Sequence, residues 1–295
     1  MRLSHSRFAI LLVLSASIAA GAAEPTAFSR FSWQPHLLVN GSACLLSVAV
    51  KGAPQKVTAQ WMGHELAFSP GSGGAWYALA GVSLETKPGT YDVAIDAVTS
   101  DGRVLHQTWP VKVHAAKYKT SRLTVPQKYV TPDPETLKRI EAEKEIKNTA
   151  FAHVIPAPEW AGNFVAPVSS EVSEAFGTSR TFNGKLATVH RGTDFRAPMG
   201  TPVHSSNAGE VVLARELYYE GNCVVIDHGQ GFMTLYMHLS KFEVKEGDEV
   251  EKGQTIALSG GTGRVTGPHL HMSVRWSGEY LDPGKLLALK LPQRP

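Results

Sequence analysis

Five residues between positions 190 and 271 have the types and spacings from which a hydrolytic centre can be built. His190-Arg191-Gly192-Thr193-Asp194 stands at one end, His269-Leu270-His271 at the other, and His238 lies between them within Tyr236-Met237-His238-Leu239-Ser240. Imidazole nitrogen and carboxylate oxygen suit zinc, whose catalytic sites take three protein ligands and leave a fourth position to water. The stretch holds such a set with histidines to spare. In an extended strand alternate side chains share a face, so His269 and His271 can flank one small site from a single backbone segment. His190 and Asp194 also share a face, but a straight strand would separate their Cα atoms by about 13 Å, too far for two short side chains to share one ion at about 2 Å. The chain must therefore bend between them, and Gly192 is the residue that permits a bend.

Around these residues runs an ordered set of short signals. They are Phe176-Gly177, Phe182-Asn183-Gly184, Ala197-Pro198-Met199-Gly200-Thr201-Pro202-Val203, Gly221-Asn222, Asp227-His228-Gly229, and Thr262-Gly263-Arg264-Val265-Thr266-Gly267-Pro268 leading into His269. With them, the stretch from about residue 160 to 285 resembles the zinc metallopeptidases of the lysostaphin and LytM type, family M23, which cut peptide cross-links in bacterial cell wall. The resemblance implies that His190, Asp194 and His271 bind one zinc ion per chain, and that His238 and His269 are catalytic histidines free of the metal. It also implies a compact, barrel-like antiparallel β domain with an active-site groove across one sheet. Family position makes Asn222 and Arg264 candidates for that groove, with ordinary turn packing as the alternative.

On that assignment zinc activates a water and polarises the scissile carbonyl. His269 is placed as the base by its two-residue offset from His271, and imidazole has a suitable pKa of about 6.5. His238 would donate a hydrogen bond to the oxyanion or a proton to the leaving amine. This division of roles is carried over from the family. All five positions are filled, which matters because some relatives that have lost ligands act as non-enzymatic activators of other wall hydrolases. The alternative reading, a wall-binding or hydrolase-activating module with a vestigial or structural zinc site, is disfavoured because a structural zinc needs four protein ligands and no spare imidazoles.

The elements that must position these residues read mainly as β. From about residue 160 to 290, Val211 to Ala214, Cys223 to Asp227, Met233 to Met237, Thr255 to Leu258 and His271 to Trp276 are strands, followed by a short helix from Pro283 to Leu289. Residues 24–115 show short apolar runs separated by Gly, Pro and Asp turns: Leu45 to Val50, Lys56 to Trp61, Glu65 to Phe68, Ala75 to Leu79, Gly89 to Asp96 and Val104 to Val113. That density predicts an immunoglobulin-like β-sandwich, with Trp61, Trp76 and Trp109 in its core rather than on a sugar-stacking face. Between them, residues 116–159 form a linker: a basic extended stretch from Lys117 to Val130, then a helix capped by Asp133 with Pro134 at its first position, reaching about Ala150. Leu137, Ile140, Ile146 and Phe151 give that helix an apolar stripe that needs a partner surface. His5, His36, His64, His106, His114, His153 and His204 read as surface or satisfied core residues, and His228 as a turn residue beside Gly229. The run Ser259-Gly260-Gly261-Thr262-Gly263-Arg264 reads as a tight loop shaping the groove, since strand rather than helix sequence follows it and a phosphate loop needs the helix.

Composition agrees with two folded domains: 43% hydrophobic against 19% charged residues in 295 describes a core-forming chain, not a disordered or coiled-coil one. Arg2, His5 and Arg7 precede an apolar run and then Ala19-Ala20-Gly21-Ala22-Ala23, the layout of a signal peptide over residues 1–23. Its removal takes away Arg2 and Arg7 and no acid, so the formal charge falls from +3 to +1, which gives no reason to propose nucleic acid as a partner. Cys44 and Cys223 lie inside apolar runs and are expected as buried free thiols. The expectation is thus an exported monomer, periplasmic or associated with the cell wall and without stable membrane insertion after cleavage, whose partners are peptidoglycan peptides. Its activity would be zinc endopeptidase action on cross-links. A signal peptide, an N-terminal β-domain and a linker helix, with no small wall-targeting domain after the catalytic strands, resemble the members from bacteria with direct cross-links. That points to D,D-endopeptidase action at D-alanine to diaminopimelate bonds.

Overall fold

The computed structural model describes residues 27–184 and 186–293, so the expected signal peptide lies outside the described residues. The chain is mainly β, with two α-helices among the described residues. In the N-terminal part, one sheet orders Phe28–Gln34, Ala43–Val50, Ala75–Gly81 and Ser69–Pro70; the other orders Leu38–Val39, Val104–His114, Gly89–Val98, Lys56–Trp61 and His64–Ala67. Apolar side chains of both sheets meet. Trp61 is fully buried and donates its indole N–H to Gly81 O at 2.8 Å, and Trp109 stacks on Phe31 at 4.9 Å between ring centres. Trp76 and Trp109 are half-buried against the same core. The first strand was not legible because its pairing shifts register between Phe28 and Arg30, and this irregularity breaks the alternation that marks a strand.

The C-terminal half is built on a ten-stranded antiparallel sheet. Its path runs Val172–Glu174, Thr193–Phe195, Leu270–Trp276, Phe232–Phe242, Gly221–Asp227, Gly209–Leu217 and Glu249–Val250, with Pro202–His204, Thr255–Ser259 and Glu279–Leu281 attached beside it. Asp194 pairs with His271, and His271 with Met237, so these three side chains share one face of the sheet. The other face sends Phe195, Met272, Val274, Tyr236 and Ile226 into the main core. That core continues to the N-terminal sheets at Gly81, where an added Cβ would lie 2.7 Å from both Trp276 and Leu281.

The linker is more than a tether. Thr120–Leu123 pairs in parallel with Ser179–Phe182, which in turn pairs with Leu186–Val189, and Val125 exchanges two 2.9 Å hydrogen bonds with the Asn183 side chain. The helix Pro134–Ala152 begins as its sequence predicts: the Asp133 carboxylate accepts the Thr136 N–H at 2.8 Å, and Pro134, which has no N–H to leave unpaired, follows. Its second half docks on the face of the sheet that also carries Asp194 and His271. Ile146, Ala150 and Phe151 pack with Leu213, Leu217, Val225 and Leu235 there. Leu137 takes no part and is 52% exposed. Glu143 is buried because it accepts the Tyr218 N–H at 2.7 Å and pairs with Arg139 at 2.6 Å. Placing an unpaired carboxylate in this apolar contact, as in Ala150→Asp, should lower the melting temperature of the intact chain by roughly 5–10 °C. An unchanged melting curve would show that the helix does not rest there.

Cys44 and Cys223 are buried and free, and burial pushes the Cys44 thiol up to about 12. His228 is not the turn residue its sequence context predicts. It is fully buried, with Nδ1 2.7 Å from Ala208 O and Nε2 2.7 Å from the Thr234 hydroxyl, and burial pulls its pKa down to about 4. The turn itself is made by the glycines after it, Gly229 and Gly231, both at positive φ.

Candidate metal centre and cleft

His190 follows the strand Leu186–Val189, where its N–H bonds Thr178 O at 2.8 Å, and Asp194 sits in the strand Thr193–Phe195 of the large sheet. The chain turns between the two, as the spacing requires, but Gly192 serves a purpose other than the expected one. Its φ is not left-handed; the need is for space, because a Cβ there would lie 2.3 Å from His271 Nε2 and 2.5 Å from Met272 O.

His190, Asp194 and His271 are brought together as a buried cluster able to hold a metal ion. His190 Nε2 lies 3.0 Å from Asp194 Oδ1 and 3.0 Å from His271 Nδ1, and His271 Nδ1 lies 2.7 Å from Asp194 Oδ1. The surrounding hydrogen bonds assign the tautomers. His190 Nδ1 faces Ala175 O at 3.0 Å, so it carries the proton and leaves Nε2 as a lone pair. Ser273 donates its hydroxyl to Arg191 O at 2.8 Å, so it must accept from His271 Nε2–H at 2.9 Å, and His271 Nδ1 is a lone pair too. Burial lowers the pKa of His271, which keeps the ring neutral. In these tautomers two nitrogen lone pairs and a carboxylate oxygen converge, an arrangement that a cation relieves. The separations are slightly below the edge of about 3.3 Å expected for tetrahedral bonds of about 2.0–2.1 Å, so the donor set fits zinc with a small expansion. Arg180, itself paired with Glu174, donates to the other Asp194 oxygen and fixes the carboxylate from behind.

His238 and His269 border the cluster. His238 falls where its strand leaves Leu270–Trp276 and joins Thr255–Ser259, at a register shift against Gly221–Asp227, and its φ is 64°. A regular strand would turn His238 to the face opposite Met237. The irregularity re-aims it, and its ring centre lies 4.9 Å from that of His269 and 5.9 Å from that of His271. Nδ1 of His238 lies 2.9 Å from Thr262 O, and Nδ1 of His269 lies 2.8 Å from Gly267 O. Each ring therefore spends its N–H on a carbonyl and keeps Nε2 as a lone pair; His269 Nε2 is 3.7 Å from Asp194 Oδ1. Burial, with His271 and His269 close by, holds the His238 pKa well below its usual value.

All five residues line one cleft of about 780 Å³. Arg264 lines it as well. Asn222 does not: its backbone N–H donates to Thr262 Oγ1 at 2.9 Å, which steadies the loop whose carbonyl holds His238. Leu123 and Val125 of the linker form part of the wall, together with Phe182 and Tyr219. Sequence reasoning missed Ser273, although its two-residue offset from His271 on a strand was a usable signal. It also missed Arg180 and the linker residues, which no local spacing marks.

Residues 188–283 match the family model for peptidase family M23. Peptidoglycan DD-endopeptidase ShyA of Vibrio cholerae is 59% identical over 101 residues, which are 34% of this chain and 24% of that protein. Peptidoglycan DD-endopeptidase ShyB of the same organism is 52% identical over 96 residues, 32% of this chain and 22% of that one. The chain thus spans about a quarter of the length of these curated relatives. Over a longer stretch, the crystal structure of a Pseudomonas aeruginosa protein described as peptidase M23 aligns with a TM-score of 0.63 at 29% identity, covering 84% of this chain and 94% of that one.

Proposed function

Because the chain carries a domain of peptidase family M23, we propose that it is an exported zinc metalloendopeptidase that hydrolyses peptide cross-links of peptidoglycan, at D-alanine to diaminopimelate bonds. The observation that carries this reading is the convergence of two imidazole nitrogens and a carboxylate oxygen, with two further imidazoles beside them whose Nδ1 atoms each meet a backbone carbonyl. His190 Nε2, Asp194 Oδ1 and His271 Nδ1 would hold the zinc. Bound there, the ion supplies a Lewis acid for the scissile carbonyl and lowers the pKa of water toward neutrality. His269, its Nδ1–H held by Gly267 O, accepts a proton from the attacking water at Nε2. His238 is neutral through burial, so it donates to the oxyanion or the leaving amine only once the proton that His269 takes from the water has reached its Nε2. A site meant only to hold metal has no use for these two rings. Export rests on the composition of residues 1–23, and the relatives named as peptidoglycan DD-endopeptidases support both the substrate and the compartment.

The test combines metal analysis with digestion of purified sacculi. About one zinc per chain is expected, with activity lost to a chelator and monomeric muropeptides released from directly cross-linked wall. Cleavage confined to pentaglycine-bridged wall would overturn the substrate. Zinc-loaded protein that cleaves neither wall would favour the non-enzymatic reading.

A further inference from the structure

Arg264 sits in the loop between Thr255–Ser259 and His269, with its backbone N–H held by Tyr219 O at 2.9 Å. Its guanidinium carbon lies 4.8 Å from the centre of the Phe182 ring and 4.6 Å from that of Tyr219. Aromatic faces hold a planar guanidinium in place without using its N–H groups, which remain at its edge. Among the described residues the Arg264 side chain makes no hydrogen bond and no ion pair. The other cations of the cleft differ: Arg180 is bound by Glu174 and Asp194, Arg191 reaches Glu85 at 3.3 Å, and Arg196 is exposed. Glu220 influences Arg264 only at longer range, since its carboxylate pairs with Lys147 of the long helix and lies beyond ion-pair distance of Arg264. Desolvation lowers the Arg264 pKa, but a guanidinium stays charged at neutral pH. The cleft therefore holds a half-buried cation, fixed by two rings, whose bonding edge has no partner among the described residues.

We propose that Arg264 reads a free carboxylate on the amine-side residue of the scissile amide, and so selects cross-links that carry one. This rests on the endopeptidase reading and sharpens it. In a bond from D-alanine to diaminopimelate, the carbon bearing the amide nitrogen also bears a carboxylate; the internal residues of a glycine bridge have none. The forked N–H edge of a guanidinium matches a carboxylate through two parallel charge-assisted hydrogen bonds, and a primary amide in its place offers one neutral acceptor and a pair of donors that clash with it. Arg264 is in this sense a specificity-determining residue, and the reacting atoms are left to the histidines.

The experiment uses the full mature chain, zinc-loaded, and two synthetic cross-linked peptides that differ only in whether the carboxylate beside the scissile amide is free or a primary amide. The wild-type chain should prefer the free acid by ~10–100-fold in kcat/KM, the worth of a charge-assisted pair. Arg264→Gln should lose that preference by slowing on the acid while staying within about threefold on the amide. Arg264→Lys, which keeps the charge without the fork, should fall between. Zinc content and melting curves of both variants establish that the fold is kept. Equal losses on both peptides, with the preference intact, would make Arg264 a packing residue and overturn the proposal, as would a wild-type chain without preference. Cleavage of neither peptide by the zinc-loaded wild type would instead overturn the endopeptidase reading, and this inference with it.

Discussion

Alanine at His238 or at His269 is expected to leave zinc bound and to lower turnover on cross-linked wall by ~10²–10⁴-fold, the range for loss of a general acid or base. Neither ring belongs to the triangle of donor atoms formed by His190, Asp194 and His271, whose sides are 2.7–3.0 Å. Each is held from behind by a single backbone carbonyl, Thr262 O or Gly267 O, so truncation removes a proton carrier without disturbing a ligand. The two substitutions should differ in their neighbourhood. His238 is buried and its space is closed by packed strands, whereas His269 stands at the mouth with a side-chain exposure of 19%. The double variant should be scarcely worse than the poorer single one, because groups that pass the same proton act as a unit. Metal content and turnover measured on the same samples check this. Loss of zinc in His269→Ala would mean that ligand and base are reversed within the His269-Leu270-His271 pair.

That these five residues come together was expected from the family resemblance and, for two pairs of them, from short spacings. A His-x-His pair on a strand fixes a shared face, and His190 with Asp194 demands a turn, which the structure supplies as a passage from a small sheet to the large one. The strands of both halves could be placed for the same reason, since alternation and turn residues are local. What sequence could not show was set by long-range contact. The re-aiming of His238 depends on its strand changing partners between Met237 and Leu239, and neither partner lies nearby in sequence. The linker stretch carries no strand pattern of its own; Thr120–Leu123 becomes a strand because the edge of Ser179–Phe182 is open to it, and this is how Leu123 and Val125 come to line the cleft. His228 was misread because the glycines around it mark a turn, while its ring points inward to Ala208 and Thr234, one of them twenty residues away.

Gly192 is where the difference between the local reading and the packed structure has the largest consequence, and Gly192→Ala is expected to abolish zinc binding and with it activity. A glycine needed only for a bend would tolerate alanine at a cost of about 1 kcal/mol or less. The structure requires more. The new methyl would lie 2.3 Å from His271 Nε2, 2.6 Å from His271 Cε1 and 2.5 Å from Met272 O. The carbonyl cannot retreat, because Met272 pairs with Thr193 on one side and with Tyr236 on the other, in the middle of the sheet. Relief must come from the His271 ring, which would leave the Ser273 hydroxyl that fixes its tautomer, or from the strand Thr193–Phe195 moving away with Asp194. Either movement separates Nδ1 of His271 from Oδ1 of Asp194, now 2.7 Å apart, by more than one ion can bridge. Gly261→Ala is the matched control: it lies in the loop beside the cleft, its φ is not left-handed, and an added Cβ would meet Pro268 at an ordinary 3.7 Å. Zinc titration of the two variants should show loss of the site in the first and retention in the second. Full zinc occupancy in Gly192→Ala would mean that the ring of His271 has room to move without leaving the metal, and that the close approach at Gly192 is not what fixes the site.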